Sequence, residues 1–213
     1  MQQFAALCHG PERNNTNNMM NPIPYKIILA SNSPRRRELL AGLGVDFEIR
    51  VIKGISETYP HDLPASQIPQ FIAREKAAAY QVKPGELVIT ADTVVVVGDE
   101  QLGSSVLGKP KDADEAWQML RTLSGRAHHV ITGVCLTTHD DQRLFSVTTE
   151  VNFRELSDDE IEYYITNYRP FDKAGAYGIQ EWIGYVGVTG IRGSYFNVMG
   201  LPVQRIWQEL RQM

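Results

Sequence analysis

Strand-like and helix-like segments alternate from residue 25 to the end of the chain, which predicts an α/β fold with helices flanking a sheet. Two patterns carry that expectation. Short β-branched apolar runs, Leu87 to Val97 above all, have the composition of strands buried on both faces. Between such runs, apolar residues recur at helical spacing, as in Ala116, Trp117, Leu120 and Leu123.

Residues 1–24 stand apart. Asn14-Asn15-Thr16-Asn17-Asn18 and Asn21-Pro22-Ile23-Pro24 are polar or proline-broken and have no usable periodicity, so a disordered extension is expected there. The folded unit, residues 25–213, opens with Lys26-Ile27-Ile28-Leu29-Ala30, an apolar run of strand length. Pro34 suits the first position of a helix. Leu39, Leu40 and Leu43 give that helix its apolar stripe, and Gly42 and Gly44 stop it. Val45 to Ile52 reads as a second strand, followed by a turn-rich loop from Gly54 to Pro64. Ser66 to Tyr80 reads as a helix with Ile68, Phe71, Ile72 and Ala79 on one face. After the strand Leu87 to Val97, Asp112 starts a helix that ends at Gly125. Val130 to Thr137 and Leu144 to Phe153 read as paired strands joined by a turn at Asp140-Asp141. Ser157 and Glu160 have the spacing of a capping box. Glycine-rich sequence runs from Gly175 to Gly200, and a last amphipathic helix carries Val203, Ile206, Trp207 and Leu210.

A chain of 213 residues suits one domain, or one core with two lobes. At that size roughly 70% of the unfolded surface can be buried, so neither a disulfide nor a metal is needed to hold the fold. A net charge of −4 argues against non-specific binding to nucleic acid, although a local basic pocket is compatible with it. Cys8 and Cys135 are far apart in the sequence and lie in no C-x-x-C or zinc-type spacing, so two thiols in a reducing, cytoplasmic compartment are expected. No run approaches the ~20 apolar residues of a membrane span, and Phe4 to Cys8 is too short to read as a secretory h-region, so no leader and no membrane partner are expected.

Chemistry is legible at a few positions. Ser31-Asn32-Ser33-Pro34-Arg35-Arg36-Arg37 falls between a strand and a helix. Helix N-termini favour acidic residues, so three arginines there are unfavourable unless an anion is bound. Ser31 and Ser33 add hydroxyl donors and arginine adds planar donors suited to phosphate. The plain alternative is a solvated basic turn with Glu38 offsetting its charge. Asp92 lies inside the apolar strand, where a carboxylate must be paired, metal-bound or satisfied by backbone N–H groups at a bulge. Metal ligand or general base for water are the roles such a residue takes. Glu75 and Lys76 sit near the apolar stripe of their helix, which suggests an ion pair, a site, or a snorkelling lysine with a rim glutamate. Lys109 in Leu107-Gly108-Lys109-Pro110 and Lys173 in Asp172-Lys173-Ala174-Gly175 stand beside small residues where a phosphate can approach, though such lysines are more often solvated. The pair His128-His129 would point to opposite faces of a strand and reads as structural. A basic anion site, a buried carboxylate and scattered lysines together fit a polyphosphate substrate with a divalent ion.

The segments Ala30 to Arg36, Ala73-Arg74-Glu75-Lys76-Ala77, Ala91-Asp92-Thr93, Gly108-Lys109-Pro110, Leu123-Ser124-Gly125, Asp172 to Gln180, and Gly193-Ser194-Tyr195 through Gly200-Leu201-Pro202 resemble, in order, those of the Maf family of nucleotide pyrophosphatases. The resemblance spans residues 25 to 202. It implies a two-lobed mixed sheet around a central cleft, a fold shared with the inosine-triphosphate pyrophosphatases, and a homodimer. It makes Asp92 the catalytic acid/base. Ser31, Arg35, Arg36, Glu57, Lys76, Lys109 and Gln180 match substrate positions, and Arg35, Thr93 and Gln180 match positions tied to base choice. Arginine at position 35 marks the branch acting on dTTP and UTP, whereas the 7-methyl-GTP branch tends to carry tryptophan. A divalent cation, Mg²⁺ or Mn²⁺, is expected on Asp92 and Glu57. A pyrophosphatase for other modified nucleotides and a nucleotide-sensing regulator of cell division are the rival readings.

Overall fold

The computed structural model describes residues 23–99 and 103–213. Cys8 and nearly all of the expected N-terminal extension lie outside the described residues. Ile23, assigned to that extension, packs with Tyr25 against a core cluster.

The elements follow one another as β1 (Lys26–Leu29), α1 (Pro34–Ala41), β2 (Phe47–Ile49), α2 (Ile68–Ala78), β3 (Glu86–Asp99), β4 (Gly103–Leu107), α3 (Ala113–Leu123), β5 (Ala127–Thr137), β6 (Gln142–Phe153), α4 (Asp158–Tyr168), α5 (Trp182–Gly187), β7 (Val188–Arg192), α6 (Tyr195–Met199) and α7 (Val203–Leu210). The strands form one mixed sheet of order β2-β1-β3-β5-β6-β7, with β4 paired to β3. β1 runs parallel to β2 and β3, and every other pair is antiparallel. The α/β class is therefore as the sequence predicts.

Local chemistry accounts for most boundaries. Ser33 caps α1 by accepting from the Arg36 N–H, with Pro34 at its first turn. Asp112 caps α3 by accepting from the Glu115 N–H. Ser157 and Glu160 close a reciprocal capping box on α4. The second strand is shorter than the sequence suggests. The Tyr80 hydroxyl donates to the Arg50 carbonyl and accepts from the Ile52 N–H, which draws the chain off the sheet after Ile49. The helix expected from Ser66 begins as a 3₁₀ turn, Ala65–Gln67, before α2. The strand β4 and the elements α5, β7 and α6 went unread in the sequence, the last three within the glycine-rich stretch.

β3 organises the interior. Its even-numbered side chains face α2: Val94 and Val96 pack with Ile68 and Ile72, and the Thr90 hydroxyl donates to the Ala73 carbonyl. Its odd-numbered side chains divide between two clusters on the opposite face. Leu87, Ile89 and Ala91 pack with Leu39 and Leu40 of α1 and Ile206 and Leu210 of α7. Val95 and Val97 pack instead with α3, α4 and the segment Ala176–Ile179. The division falls at Thr93. Two lobes thus share one strand, and the residues at the division are free to serve a site.

Candidate active site

The long strand is only partly paired along one edge. β1 covers Glu86 to Ile89 and β4 covers Val95 to Asp99, so that, among the described residues, positions 90–94 have no strand partner on that side. A cavity of about 570 Å³ opens there. Ser31, Arg35, Arg36, Glu57, Lys76, Asp92, Thr93, Lys109, Lys173 and Gln180 all line it. Residues from Ser31 to Gln180 are therefore gathered at the gap.

Asp92 points toward α2. The Lys76 Nζ donates to Asp92 Oδ1 at 2.7 Å and lies 2.8 Å from Glu57 Oε1. The side chains of Lys76 and Asp92 are only 14% and 13% exposed, so their attraction is less screened than a surface pair's. Burial pushes the Glu57 carboxyl up. Its bond to Lys76, with the Lys76, Lys109 and Arg36 charges, outweighs this and leaves it below its ordinary range. Glu75, the neighbour of Lys76, turns outward and lies 3.9 Å from Arg74. Opposite Asp92 in the β3–β5 register is Gly133, where a Cβ would come within 2.3 Å of the Pro69–Gln70 backbone. The missing side chain lets the start of α2 press onto the sheet and delivers Lys76 to Asp92.

The three arginines of α1 separate by role. Arg36 gives Nε to the Gly200 carbonyl at 2.8 Å, Nη1 to the Ala91 carbonyl at 2.8 Å and Nη2 to Thr93 Oγ1 at 3.1 Å. The Ala91 carbonyl projects to the same edge as that of Ile89, which accepts from the Ala30 N–H. Arg36 thus takes the place of a missing strand and clamps both neighbours of Asp92. Burial lowers its guanidinium below its ordinary value, with Asp92 opposing that effect. Arg37 donates to the Asn32 carbonyl at 3.2 Å. Arg35 reaches across the cleft to Asp172, with Nη1 2.7 Å from Oδ2. Ser31, buried at the end of β1, accepts from the Ser33 N–H at 3.2 Å. Thr93 Oγ1 shares a hydrogen bond of 2.9 Å with Thr132 Oγ1.

The far wall is the segment after α4. Lys173 is buried, 2.8 Å from Asp172 Oδ1 and 3.0 Å from Glu181 Oε1, so it serves the wall's own charge network as well as lining the cavity. Glu181 accepts in turn from the Tyr164 hydroxyl, which accepts from the Gly178 N–H. Gly175 has φ of 68°, and a Cβ there would lie 2.9 Å from Val95. Its N–H donates to the Gly108 carbonyl, tying the turn to the loop that presents exposed Lys109. The Gln180 Oε1 is buried and, among the described residues, has no hydrogen-bond partner. Asp172 and Tyr80 also line the cavity and were not singled out in the sequence. For Asp172 the available signal was its place beside Lys173 in a glycine-rich turn. His128 and His129 face opposite ways as expected: His128 is buried against the Tyr177 hydroxyl at 2.8 Å, and His129 is 3.8 Å from Glu150.

No group of three or more His, Cys, Asp or Glu suited to a metal occurs among the described residues. Glu57 and Asp92 are the carboxylates that converge, and Lys76 lies between them. Two carboxylates completed by substrate phosphate oxygens and water are a donor set that suits Mg²⁺.

The Maf-like protein family model matches residues 26–213. The dTTP/UTP pyrophosphatase of Phocaeicola vulgatus is 62% identical over 191 residues, covering 89% of this chain and 96% of that protein. The dTTP/UTP pyrophosphatase of Bacteroides fragilis (strain ATCC 25285) is 56% identical over 191 residues, with the same coverage. That of Flavobacterium johnsoniae is 48% identical over 188 residues, covering 87% and 94%. The overlap with the solved structure of a HAM1 protein from Coxiella burnetii is looser, with a TM-score of 0.45 at 15% identity over 89% of this chain and 100% of that one.

Proposed function

The chain belongs to the Maf-like protein family, and we propose that it hydrolyses dTTP and UTP to the monophosphate and pyrophosphate, a house-cleaning activity on the nucleotide pool. The observation that carries the reading is the convergence of Asp92, Glu57 and Lys76 at the open edge of β3, inside a cavity that also presents Arg35, Lys109 and Gln180. Relatives 62% and 56% identical that bear the name dTTP/UTP pyrophosphatase support the same substrates.

In this reading the polyphosphate lies against Lys76 and Lys109, with the start of α1 and Ser31 beside it. Asp92 accepts the proton of a water whose oxygen attacks the α-phosphorus. The bond from that phosphorus to the bridging oxygen breaks, and pyrophosphate leaves with its charge stabilised by the lysines. Glu57 and Asp92 would hold a divalent cation, Mg²⁺ or Mn²⁺, which supplies charge neutralisation to the phosphates when bound. Arg36, which also lines the cavity, supports the site through its guanidinium. Its three bonds to Gly200, Ala91 and Thr93 give it the task of holding Asp92 in place. The unpaired Gln180 Oε1 is a ready acceptor for the N3–H of thymine or uracil. A homodimer, implied by the family resemblance, and a cytoplasmic location, expected from the cysteine usage, belong to the same reading; light scattering on the purified protein tests the first.

The test is product analysis with dTTP, UTP, CTP, 7-methyl-GTP and ITP, with and without Mg²⁺. Pyrophosphate with dTMP or UMP, formed only with metal, is the expected result. Asp92→Asn should lower kcat by about a thousandfold with an unchanged circular-dichroism spectrum. Preferential turnover of 7-methyl-GTP or ITP would reject the base assignment, and an active Asp92→Asn would reject the mechanism.

A further inference from the structure

We propose that Asp172 is a specificity-determining positioning residue: it locks Arg35 in the orientation from which the guanidinium reads the nucleobase. The inference rests on the pocket being a nucleoside triphosphate site.

The cavity holds two groups of charges. Asp92, Glu57, Lys76 and Lys109 interact with one another at the open edge of β3. Arg35, Asp172, Lys173 and Glu181 form a second set on the far wall. The first set has the paired carboxylates and lysines that a metal–polyphosphate needs. In the second set Lys173 likewise sits between Asp172 and Glu181, but the proposed reaction places the attacking water and the cation at Asp92, so the polyphosphate belongs with the first set. The nucleoside therefore belongs at the second set, where Gln180 also brings its unpaired buried oxygen.

Of the arginines on α1, Arg36 commits its guanidinium to the protein at three atoms. Among the described residues Arg35 makes one hydrogen bond, to Asp172, and keeps its remaining N–H groups for a ligand. Arginine has many rotamers, and one that reads a base must be held. Asp172 is itself well held. Its second oxygen accepts from Lys173, Lys173 is buried against Glu181, and Glu181 is fixed by Tyr164. Burial pushes the Asp172 carboxyl up, but Lys173 and Arg35 outweigh it, so Asp172 stays charged through the neutral range. The pair also joins the two lobes, since α1 packs in one core cluster and Ala174 to Ile179 in the other.

The experiment is a double-mutant cycle on kcat/KM for the preferred nucleotide and for two poorly used ones, with wild type, Asp172→Ala, Arg35→Ala and the double variant. Asp172→Ala should lower kcat/KM for the preferred nucleotide about tenfold, mainly through KM, and change the poor substrates by less than about twofold. The double variant should be no worse than Arg35→Ala alone. Asp172→Asn, which keeps an acceptor oxygen, should recover part of the selectivity. Equal losses on all nucleotides, or additive losses in the double variant, would overturn the inference. A wild type preferring a purine would reject the dTTP/UTP reading, and the cycle would then test Asp172 on that purine nucleotide. A wild type without turnover moves the same cycle to nucleotide binding by calorimetry, with the same two criteria.

Discussion

Lys76 occupies the point at which two carboxylates meet. Its ammonium is 2.7 Å from Asp92 and 2.8 Å from Glu57, so each acid is compensated while no metal is bound. A buried pair that loses one partner leaves the other charge uncompensated. Lys76→Met should therefore bind free Mn²⁺ more tightly than wild type in the absence of nucleotide, by about tenfold, while kcat falls about a hundredfold. Calorimetry with Mn²⁺ alone reads the first effect. Unchanged or weaker Mn²⁺ binding would show that Glu57 and Asp92 are not the metal ligands. Asp92 was legible in the sequence because a carboxylate among valines needs an explanation. Glu57 was not, because a loop residue has no local pattern, and only the folded loop brings it to Lys76.

At the scale of the element, the pairing of α2 with the sheet decides whether the site assembles. Gly133 on β5 lies directly under the Pro69–Gln70 backbone, and a methyl group there would overlap it at 2.3 Å. Backbone cannot step aside as a side chain can, so Gly133→Ala should destabilise the fold by about 3 kcal/mol. Urea unfolding measures it, and a loss below about 1 kcal/mol would mean that α2 shifts freely. Helices with strong local signals, α3 and α4, begin where their caps place them. The elements α5, β7 and α6 were illegible because they are five or six residues long, too short for a periodic signature. β2 was overread because the apolar run continues past Ile49 while Tyr80, from a distant helix end, takes the backbone bonds of Arg50 and Ile52.

For the whole molecule, stability should depend on pH through His128. Its ring is buried between Phe153 and Tyr177, with His129 beside it in the chain. Burial, with a smaller contribution from His129, lowers its pKa to about 4 from an ordinary 6.5. The unfolded chain therefore binds a proton more readily than the folded one between those values. Stability is complete above pH 6.5 and falls as the pH drops toward 4. Between pH 7 and pH 5 the loss should be about 2 kcal/mol. Glu86 and Glu160, each held down to about 2 by an arginine, add losses only below their ordinary 4.5. His128→Gln should flatten the profile above pH 5, as read by thermal unfolding at several pH values. An unchanged slope would assign it to other groups.

The sequence by itself determined the class of the fold, most of the long elements and, among the residues that line the cavity, Ser31, Arg35, Arg36, Lys76, Asp92, Lys109 and Lys173. Those signals are local: apolar periodicity, caps and charges placed where their neighbours make them costly. Tertiary structure decided how the lining residues divide their work. Three adjacent arginines look alike in the chain, yet Arg36 replaces a strand, Arg37 stays on its own turn and Arg35 spans the cleft. The same holds for Lys173, which reads as a loop lysine and is buried in a network of acids. The physical reason is that a side chain's task depends on which donors and acceptors the sheet leaves unpaired beside it. At this site the gap between β1 and β4 along β3 sets that, and no stretch of sequence contains both sides of it.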